Sequence, residues 1–195
     1  EVMVLADNSA RAEFVAADLL SQAEHGDDSQ AILVCRTERF ARQVTRAVEE
    51  QIRYLSRGEA IRNSLANSRI VLFDEEYKQI AFANAYAPEH LIVSMRDAWG
   101  IAAKITAAGS VFIGNYSPES AGDYASGTNH TLPTGGWARA CSGVNVDSFM
   151  RKITFQELTR DGLDALAPAI TAMAEAEGLD AHANAVRIRM KGGIL

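Results

Sequence analysis

The chain has 195 residues, of which 48% are hydrophobic and 23% are charged, a balance typical of globular proteins. The formal net charge is −6 at pH 7, with acidic and basic residues interspersed, so we expect no nucleic-acid partner. No apolar run approaches the ~20 residues of a membrane helix, and no signal-like segment opens the sequence. We therefore expect a soluble, cytoplasmic protein with no membrane partner.

The cysteines and the first residue add two further expectations. Cys35 and Cys141 lie far apart and match no metal-binding or redox spacing, so we expect two free, buried and unreactive thiols. The sequence opens at Glu1 instead of Met and enters a strand-like run at once. We therefore expect further chain upstream of it.

The first 113 residues alternate between short apolar runs and helical patterns. Predicted strands cover residues 2–6, 31–35, 69–73, 90–93 and 110–113. The first predicted helix follows the capping residue types of Asp7-Asn8-Ser9 and stops at Gly26, and a long amphipathic helix runs from Thr37 to Leu55. Two more helices are predicted over 75–84 and 97–107.

This alternation predicts an α/β fold, with a Rossmann-like, mainly parallel sheet and helices on both faces over residues 1–144. In such sheets ligands bind beyond the carboxyl ends of the strands, so we expect the functional residues there. A Gly/Ser/Asn/Pro-rich segment from 114 to about 143 is too long for a simple connector, and such loops commonly carry function.

Residues 145–195 predict a small helical C-terminal tail. Residues 154–157 have the pattern of a capping box, whose short helix would end at Gly162. Pro168 is predicted near the start of the next helix, Gly178 at its end, and Asp180 as the cap of the last helix. We expect the tail to pack on another subunit or on a part of the protein outside this sequence.

The chain has four histidines, all near predicted element ends or in loops. Gln22 and His25 are three residues apart and extend the apolar face of the first helix, where a metal or a hydrogen-bonding ligand would satisfy them. The alternative is that His25 merely complements the negative helix end, which is worth ~0.3–1 kcal/mol. A Gln and a His at this spacing are a weak signal, and from the spacing alone the second interpretation is favoured.

Pro88 fixes the backbone before the adjacent pair Glu89 and His90, which favours acid–base chemistry, although an accidental polar pair fits equally well. In the long loop, Asp123 and His130 supply donors of the kind that zinc accepts. In the tail, Glu177 and His182 flank a helix break. Together these residue types indicate a metal site in an enzyme, without fixing the reaction.

Seven strings, spread in order over the whole chain, resemble the histidinol dehydrogenase family: LLSQAEHG (19–26), APEHL (87–91), GSVF (109–112), SPESAGDY (117–124), GTNHTLPT (127–134), QEL (156–158) and AEGLDAH (176–182). The resemblance implies a zinc enzyme that oxidises L-histidinol to L-histidine through the aldehyde, in the last steps of histidine biosynthesis. Two NAD molecules would accept hydride in each turnover. We therefore expect zinc and NAD as cofactors and L-histidinol as the substrate.

The resemblance also implies roles for individual residues. The substrate site would be lined by Gln22, His25, His90, Asp123, His130, Glu177 and His182. The implied zinc ligands are Gln22, His25, Asp123 and His182. Glu89 and His90 would be the acid–base pair, with His90 taking the hydroxyl proton and Glu89 activating the water that adds to the aldehyde. Glu177 would help to surround the substrate. His130 would contact or orient the substrate.

The resemblance further implies an intertwined homodimer that exchanges its tails. Glu177 and His182 would then serve the partner's active site. Full-length relatives are longer, so we expect a fragment that is inactive alone, and we assign no NAD-contacting residue. A metal-dependent hydrolase and a non-catalytic, metal-binding dimerisation module remain the alternatives.

Overall fold

The computed structural model describes residues 1–190. The chain divides into two compact units, the first comprising Glu1–Phe149 and the second beginning at Met150. The proposed boundary between residues 144 and 145, and a dimerisation role for the tail, stay predictions. None of the helices in the described part of the chain has the length and apolar character that crossing a bilayer requires.

The first unit is built on a five-stranded, entirely parallel sheet, with the spatial order β3-β2-β1-β4-β5. The strands are β1 (Val2–Ala6), β2 (Ala31–Cys35), β3 (Arg69–Leu72), β4 (His90–Ser94) and β5 (Ser110–Ile113). Each lies where an apolar run predicted it. The predicted Rossmann-like α/β fold with a helical C-terminal segment is thereby confirmed.

Six α-helices connect or follow these strands: α1 (Ala12–Ala23), α2 (Glu38–Gln51), α3 (Gly58–Leu65), α4 (Glu76–Tyr86), α5 (Ala98–Ala102) and α6 (Glu119–Tyr124). Helix α2 lies within the predicted long amphipathic helix, and Thr37 caps it, because its hydroxyl accepts the Phe40 N–H. The predicted cap of α1 is wrong. Asp7 and Ser9 bond to each other in a turn, and α1 begins after Arg11 with no side-chain cap.

The core lies on both faces of the sheet, because every residue of β1 is buried. Val2, Val4 and Ala6 face one cluster, which includes apolar residues of α1 and α2. Met3 and Leu5 face the other, with apolar residues of α4 and α5. Burying a Val, Leu or Met side chain stabilises the fold by about 1.5–3 kcal/mol, so this strand anchors the unit.

The second unit contains α7 (Arg160–Ala176) and α8 (Asp180–Met190). The predicted capping box at 154–157 is wrong, because the helix begins later, where Thr159 accepts the Gly162 N–H. The predicted helix end at Gly162 and the predicted helix start near Pro168 are also wrong, because the single helix α7 runs through both positions. As predicted, Gly178 follows the end of α7 with a φ of 71°.

The two cysteines are free, as predicted, but only one is buried. Cys35 is buried at the end of β2, next to the central strand β1. Cys141 is exposed, so its predicted burial is wrong: it follows the short 3-10 helix Trp137–Arg139, which buries none of its own residues. Burial raises the pKa of the Cys35 thiol, which keeps that thiol protonated and unreactive.

Candidate active site

The predicted acid–base and metal residues of the first unit gather at the amino edge of the sheet. His90 is the first residue of β4, and it pairs in register with Val2, the first residue of β1. Helix α1 runs back from the carboxyl edge, so its last turn returns Gln22 and His25 to the same side. The expectation that these residues lie beyond the carboxyl ends of the strands is therefore wrong.

His90 is buried, and neither of its ring nitrogens has a hydrogen-bond partner. Its Nδ1 lies 3.8 Å from Glu89 Oε2 and 4.0 Å from Glu119 Oε1, and its Nε2 lies 3.8 Å from Asp123 Oδ1. The Phe112 ring packs against the imidazole, with centroids 5.9 Å apart. The imidazole is thus held in place by packing, while two carboxyl groups near Nδ1 and one near Nε2 lie just beyond hydrogen-bond distance.

A strained turn leads into this pair of residues. Ala87 ends α4 in the left-handed region, with φ 56° and ψ 64°, and its N–H bonds the Ala83 carbonyl. This conformation is costly for a residue with a Cβ, and especially before proline. Such strain persists where the surroundings enforce it, and here it directs Pro88, Glu89 and His90 into the sheet edge.

The last turns of α1 supply the second side of the site. Gln22 is buried, and its Oε1 has no hydrogen-bond partner. His25 follows the helix end, and its side chain is 58% exposed, so it is accessible to a ligand. Asp18 lies four residues before Gln22 and therefore faces the same way.

Helix α6 supplies the third side and lies inside the segment predicted to be an irregular loop. Its first residue, Glu119, is 1% exposed, and Asp123 follows one turn later. The helix can approach β5 because Gly122 has no side chain: a Cβ there would lie 2.5 Å from the Phe112 ring. Gly122 thus allows Glu119 and Asp123 to reach His90.

Burial dominates the electrostatics of the site. Desolvation lowers the pKa of His90 despite the carboxylates of Glu89 and Asp123, so its imidazole is neutral at pH 7. Desolvation, with the nearby charge of Asp123, raises the pKa of Glu119 to about 8. Burial also raises the pKa of Asp18 to about 7. A neutral imidazole beside carboxyl groups is suited to accept a proton.

Three side chains of the site could hold a metal ion together. Ligand atoms of His25, Glu119 and Asp123 all lie within 4.8 Å of one another. Zinc accepts this mixture of imidazole nitrogen and carboxylate oxygen. The unpartnered Oε1 of Gln22 is a further oxygen donor on the same helix end as His25. The donor set therefore fits a zinc ion at this edge.

A pocket of about 930 Å³ adjoins the cluster and shares Gln22 and Glu89 with it. Tyr86, Gln30 and Arg139 are among its other lining residues. This volume suits a small molecule. The acid–base pair therefore lies next to a space that a polar substrate could enter.

The other predicted site residues, His130, Glu177 and His182, are exposed and are not among the residues described above around His90. His130 is exposed in the segment after α6, and within residues 1–190 its side chain makes no hydrogen bond or ion pair. Glu177 caps the end of α7 and His182 lies in the first turn of α8, both in the second unit and both exposed. Their roles stay predictions.

Sequence reasoning missed Glu119 and Asp18. Asp18 shares a helical face with Gln22 and His25 through spacings of four and three residues, a signal present in the sequence. Glu119 precedes Asp123 by four residues, but nothing in the sequence marks this segment as a helix whose first residue is buried.

Comparisons with known proteins agree with the resemblance. A family model for histidinol dehydrogenase matches residues 1–190. The chain is 57% identical over 191 residues to a histidinol dehydrogenase of Bacteroides fragilis, covering 98% of this chain and 45% of that protein. The Legionella pneumophila relative is 51% identical over 190 residues, with coverages of 97% and 44%. The crystal structure of histidinol dehydrogenase from Elizabethkingia anophelis matches with a TM-score of 0.94 and 55% identity, over 97% of this chain and 44% of that one.

Proposed function

The chain belongs to the histidinol dehydrogenase family, and we propose that it supplies the metal-binding and acid–base residues of an enzyme that oxidises L-histidinol to L-histidine. The chain spans about 45% of the length of the curated relatives it matches. The activity is therefore proposed for a protein that contains this chain, acting with zinc and NAD, and no residue of this chain is assigned to NAD.

One observation carries the proposal: a buried, neutral imidazole without hydrogen-bond partners lies between the predicted base partner Glu89 and the predicted metal ligand Asp123. Buried polar groups are normally satisfied, and those left unpaired are concentrated where a ligand completes them. The hydroxyl group of a bound substrate would supply the hydrogen-bond partner that the imidazole of His90 lacks.

We assign Gln22, His25 and Asp123 as metal ligands of the first unit, with His182 as the fourth. Bound zinc would act as a Lewis acid that anchors the substrate through its nitrogen atoms and fixes its reacting carbon beside His90. Glu119 is close enough to His25 and Asp123 to belong to the same site. Of the residues that would hold the metal, His25 has an exposed side chain and Gln22 a buried one.

In the proposed reaction His90 accepts the hydroxyl proton during the first oxidation, because its lowered pKa keeps it neutral at pH 7. Glu89 then takes a proton from the water that adds to the aldehyde. NAD, when bound, accepts hydride in both oxidations. The adjacent positions of Glu89 and His90 at the strand entrance let both act on one bound molecule.

We further propose that Glu177 and His182 act across a homodimer, in which the second unit of one protomer completes the site of its partner. Both side chains are exposed, which leaves them available to another chain. His130, also exposed, is proposed to contact the substrate. These three assignments rest on the family resemblance.

The proposal is tested by assaying L-histidinol oxidation with NAD, in a protein that contains this chain and in the 195-residue chain alone. We expect zinc-dependent formation of two NADH per histidine in the longer protein and almost none in the chain alone. Zinc binding without any NAD-dependent oxidation by the longer protein would contradict the proposal and favour a metal-dependent hydrolase.

A further inference from the structure

Glu119 is the one carboxylic side chain that is buried among residues 1–190. Transferring a carboxyl group out of water without hydrogen bonds is costly, so a fold keeps such a group only where something compensates. The Oε2 of Glu119 has no partner, and within the described residues no Lys or Arg lies within 4.0 Å of its carboxyl group. The nitrogen atoms that lie within 4.0 Å of its carboxyl group belong to histidines.

Those neighbours are the two imidazoles of the site. Glu119 Oε1 lies 4.0 Å from His90 Nδ1 and 4.0 Å from His25 Nε2. The three residues come from separate elements, namely α6, β4 and the end of α1. One oxygen atom is thus equally distant from the proposed base and from a proposed metal ligand.

The other carboxyl groups around His90 are less suited to link the two rings. Glu89 also lies near Nδ1, at 3.8 Å, but its side chain is partly exposed. Asp123 faces the opposite ring nitrogen, Nε2. Histidines at metal and catalytic sites commonly present their second nitrogen to a carboxylate that fixes the ring.

We propose that Glu119 is a positioning residue that holds the imidazoles of His90 and His25 through one shared carboxyl group. The inference rests on the proposed function, in which His90 is the base and His25 a metal ligand. Glu119 itself contacts neither the substrate nor the reacting atoms in this account. Its role is to fix the orientation of the base relative to the metal site.

The test uses the whole protein with ¹⁵N-labelled histidine, without zinc, and compares Glu119→Ala and Glu119→Gln with the wild type. Gln79→Ala is the matched control, because Gln79 is equally buried, also has an unpartnered Oε1, and lies on α4 outside the site. We expect the ring ¹⁵N resonances of both His90 and His25 to move in the Glu119 variants and to stay in Gln79→Ala. A purely structural role would not single out these two rings.

Ring resonances of either imidazole that stay unmoved in a folded Glu119 variant would overturn the proposal. Glu119→Gln keeps the shape of the side chain, so it decides the question if Glu119→Ala fails to fold. The zinc dissociation constant is measured separately and should rise about 10–100-fold in Glu119→Gln, as for other residues beside metal ligands. A wild-type protein that neither binds zinc nor oxidises histidinol would refute the proposed function, whereas the ring resonances still decide the positioning role.

Discussion

The two edges of the same parallel sheet are built in opposite ways. At the carboxyl edge, polar groups satisfy one another: Asp7 accepts from Ser9 and from the Arg96 N–H, and Ser94 bonds Asn115. At the amino edge, Gln22, His90 and Glu119 are buried with unpartnered atoms. Four of the five such atoms in residues 1–190 lie there.

The different hydrogen bonding at the two edges shifts the pKa of a carboxyl group in opposite directions, as Asp7 and Glu119 show. Burial works to raise the pKa of Asp7, but hydrogen bonds from Ser9 and Arg96 outweigh it and lower the pKa. Burial raises the pKa of Glu119 to about 8, because nothing bonds its carboxylate. The carboxyl edge is therefore organised for stability, whereas the amino edge carries unsatisfied groups that a ligand could use.

The largest difference between the two edges is expected from substitutions at the two ends of β4. We expect His90→Asn, in a protein that contains this chain, to lower kcat about 10²–10⁴-fold, because a general base is lost. Ser94→Ala, at the other end of the strand, should leave kcat within about twofold while costing about 1 kcal/mol of stability. Steady-state kinetics and denaturant unfolding of both variants check the pair, and equal losses of kcat would contradict the contrast.

Metal binding gives the next largest effect. We expect His25→Ala to weaken zinc binding more than about 100-fold, beyond the 10–100-fold typical of residues beside the ligands. Glu24→Ala, at the exposed neighbouring position, should change it little. Calorimetric titration with zinc, and removal of the metal by a chelator, measure both constants. Equal affinities in the two variants would show that the metal binds elsewhere.

The pH dependence of stability sharpens the contrast further. The pKa of Asp18 is about 7 in the folded chain against 3.8 for a free carboxyl, so the folded state holds a proton that the unfolded state loses. Its contribution to stability is present below pH 4 and is lost as pH rises to 7. Asp18→Asn should therefore gain at most about 4 kcal/mol over wild type between pH 4 and pH 8, and less because solvent screens this partly exposed carboxyl group.

Denaturant unfolding of the metal-free protein at the two pH values measures this gain. Exposed Glu49→Gln, on α2, is the matched control and should show no gain. A gain that is the same at pH 4 and pH 8 would refute the assignment. Glu119 has a raised pKa as well, so part of the pH dependence should remain in the Asp18 variant.

The smallest effect is expected at the satisfied edge. Asp7→Ala removes the acceptor of the Ser9 and Arg96 N–H groups, and we expect it to cost about 1–2 kcal/mol. Zinc affinity and kcat should stay within about twofold of wild type. Denaturant unfolding and calorimetry measure these quantities, and a large loss of zinc binding would mean that the two edges are coupled.

The sequence predicted all five strands because each is an apolar run bounded by polar residues, and burial on both faces makes such runs conspicuous. Helix α3 was missed because it opens at Gly58, a poor helix former, with three residues between it and the end of a short 3-10 helix, Ile52–Tyr54. The start of α7 was misplaced because residues 154–157 have the same capping pattern as a true helix start.

Some residues of the site could likewise be predicted from the sequence, and others could not. The resemblance supplied Gln22, His25, Glu89, His90 and Asp123, and the structure brings these side chains to one edge. The edge itself was predicted wrongly, because His90 opens its strand where a residue after the strand would be typical. Glu119 could not be found from local pattern, since its burial depends on a long-range contact between Gly122 and Phe112.

The most direct test is a crystal of a protein that contains this chain, grown with zinc and measured at the zinc absorption edge. The account predicts an anomalous peak at the amino edge, bonded to His25 and Asp123. The carboxyl edge offers the competing location, a pocket of about 750 Å³ whose lining includes Asn8, Arg11 and Thr37. A zinc peak in that pocket, with His25 and Asp123 free of metal, would contradict the account.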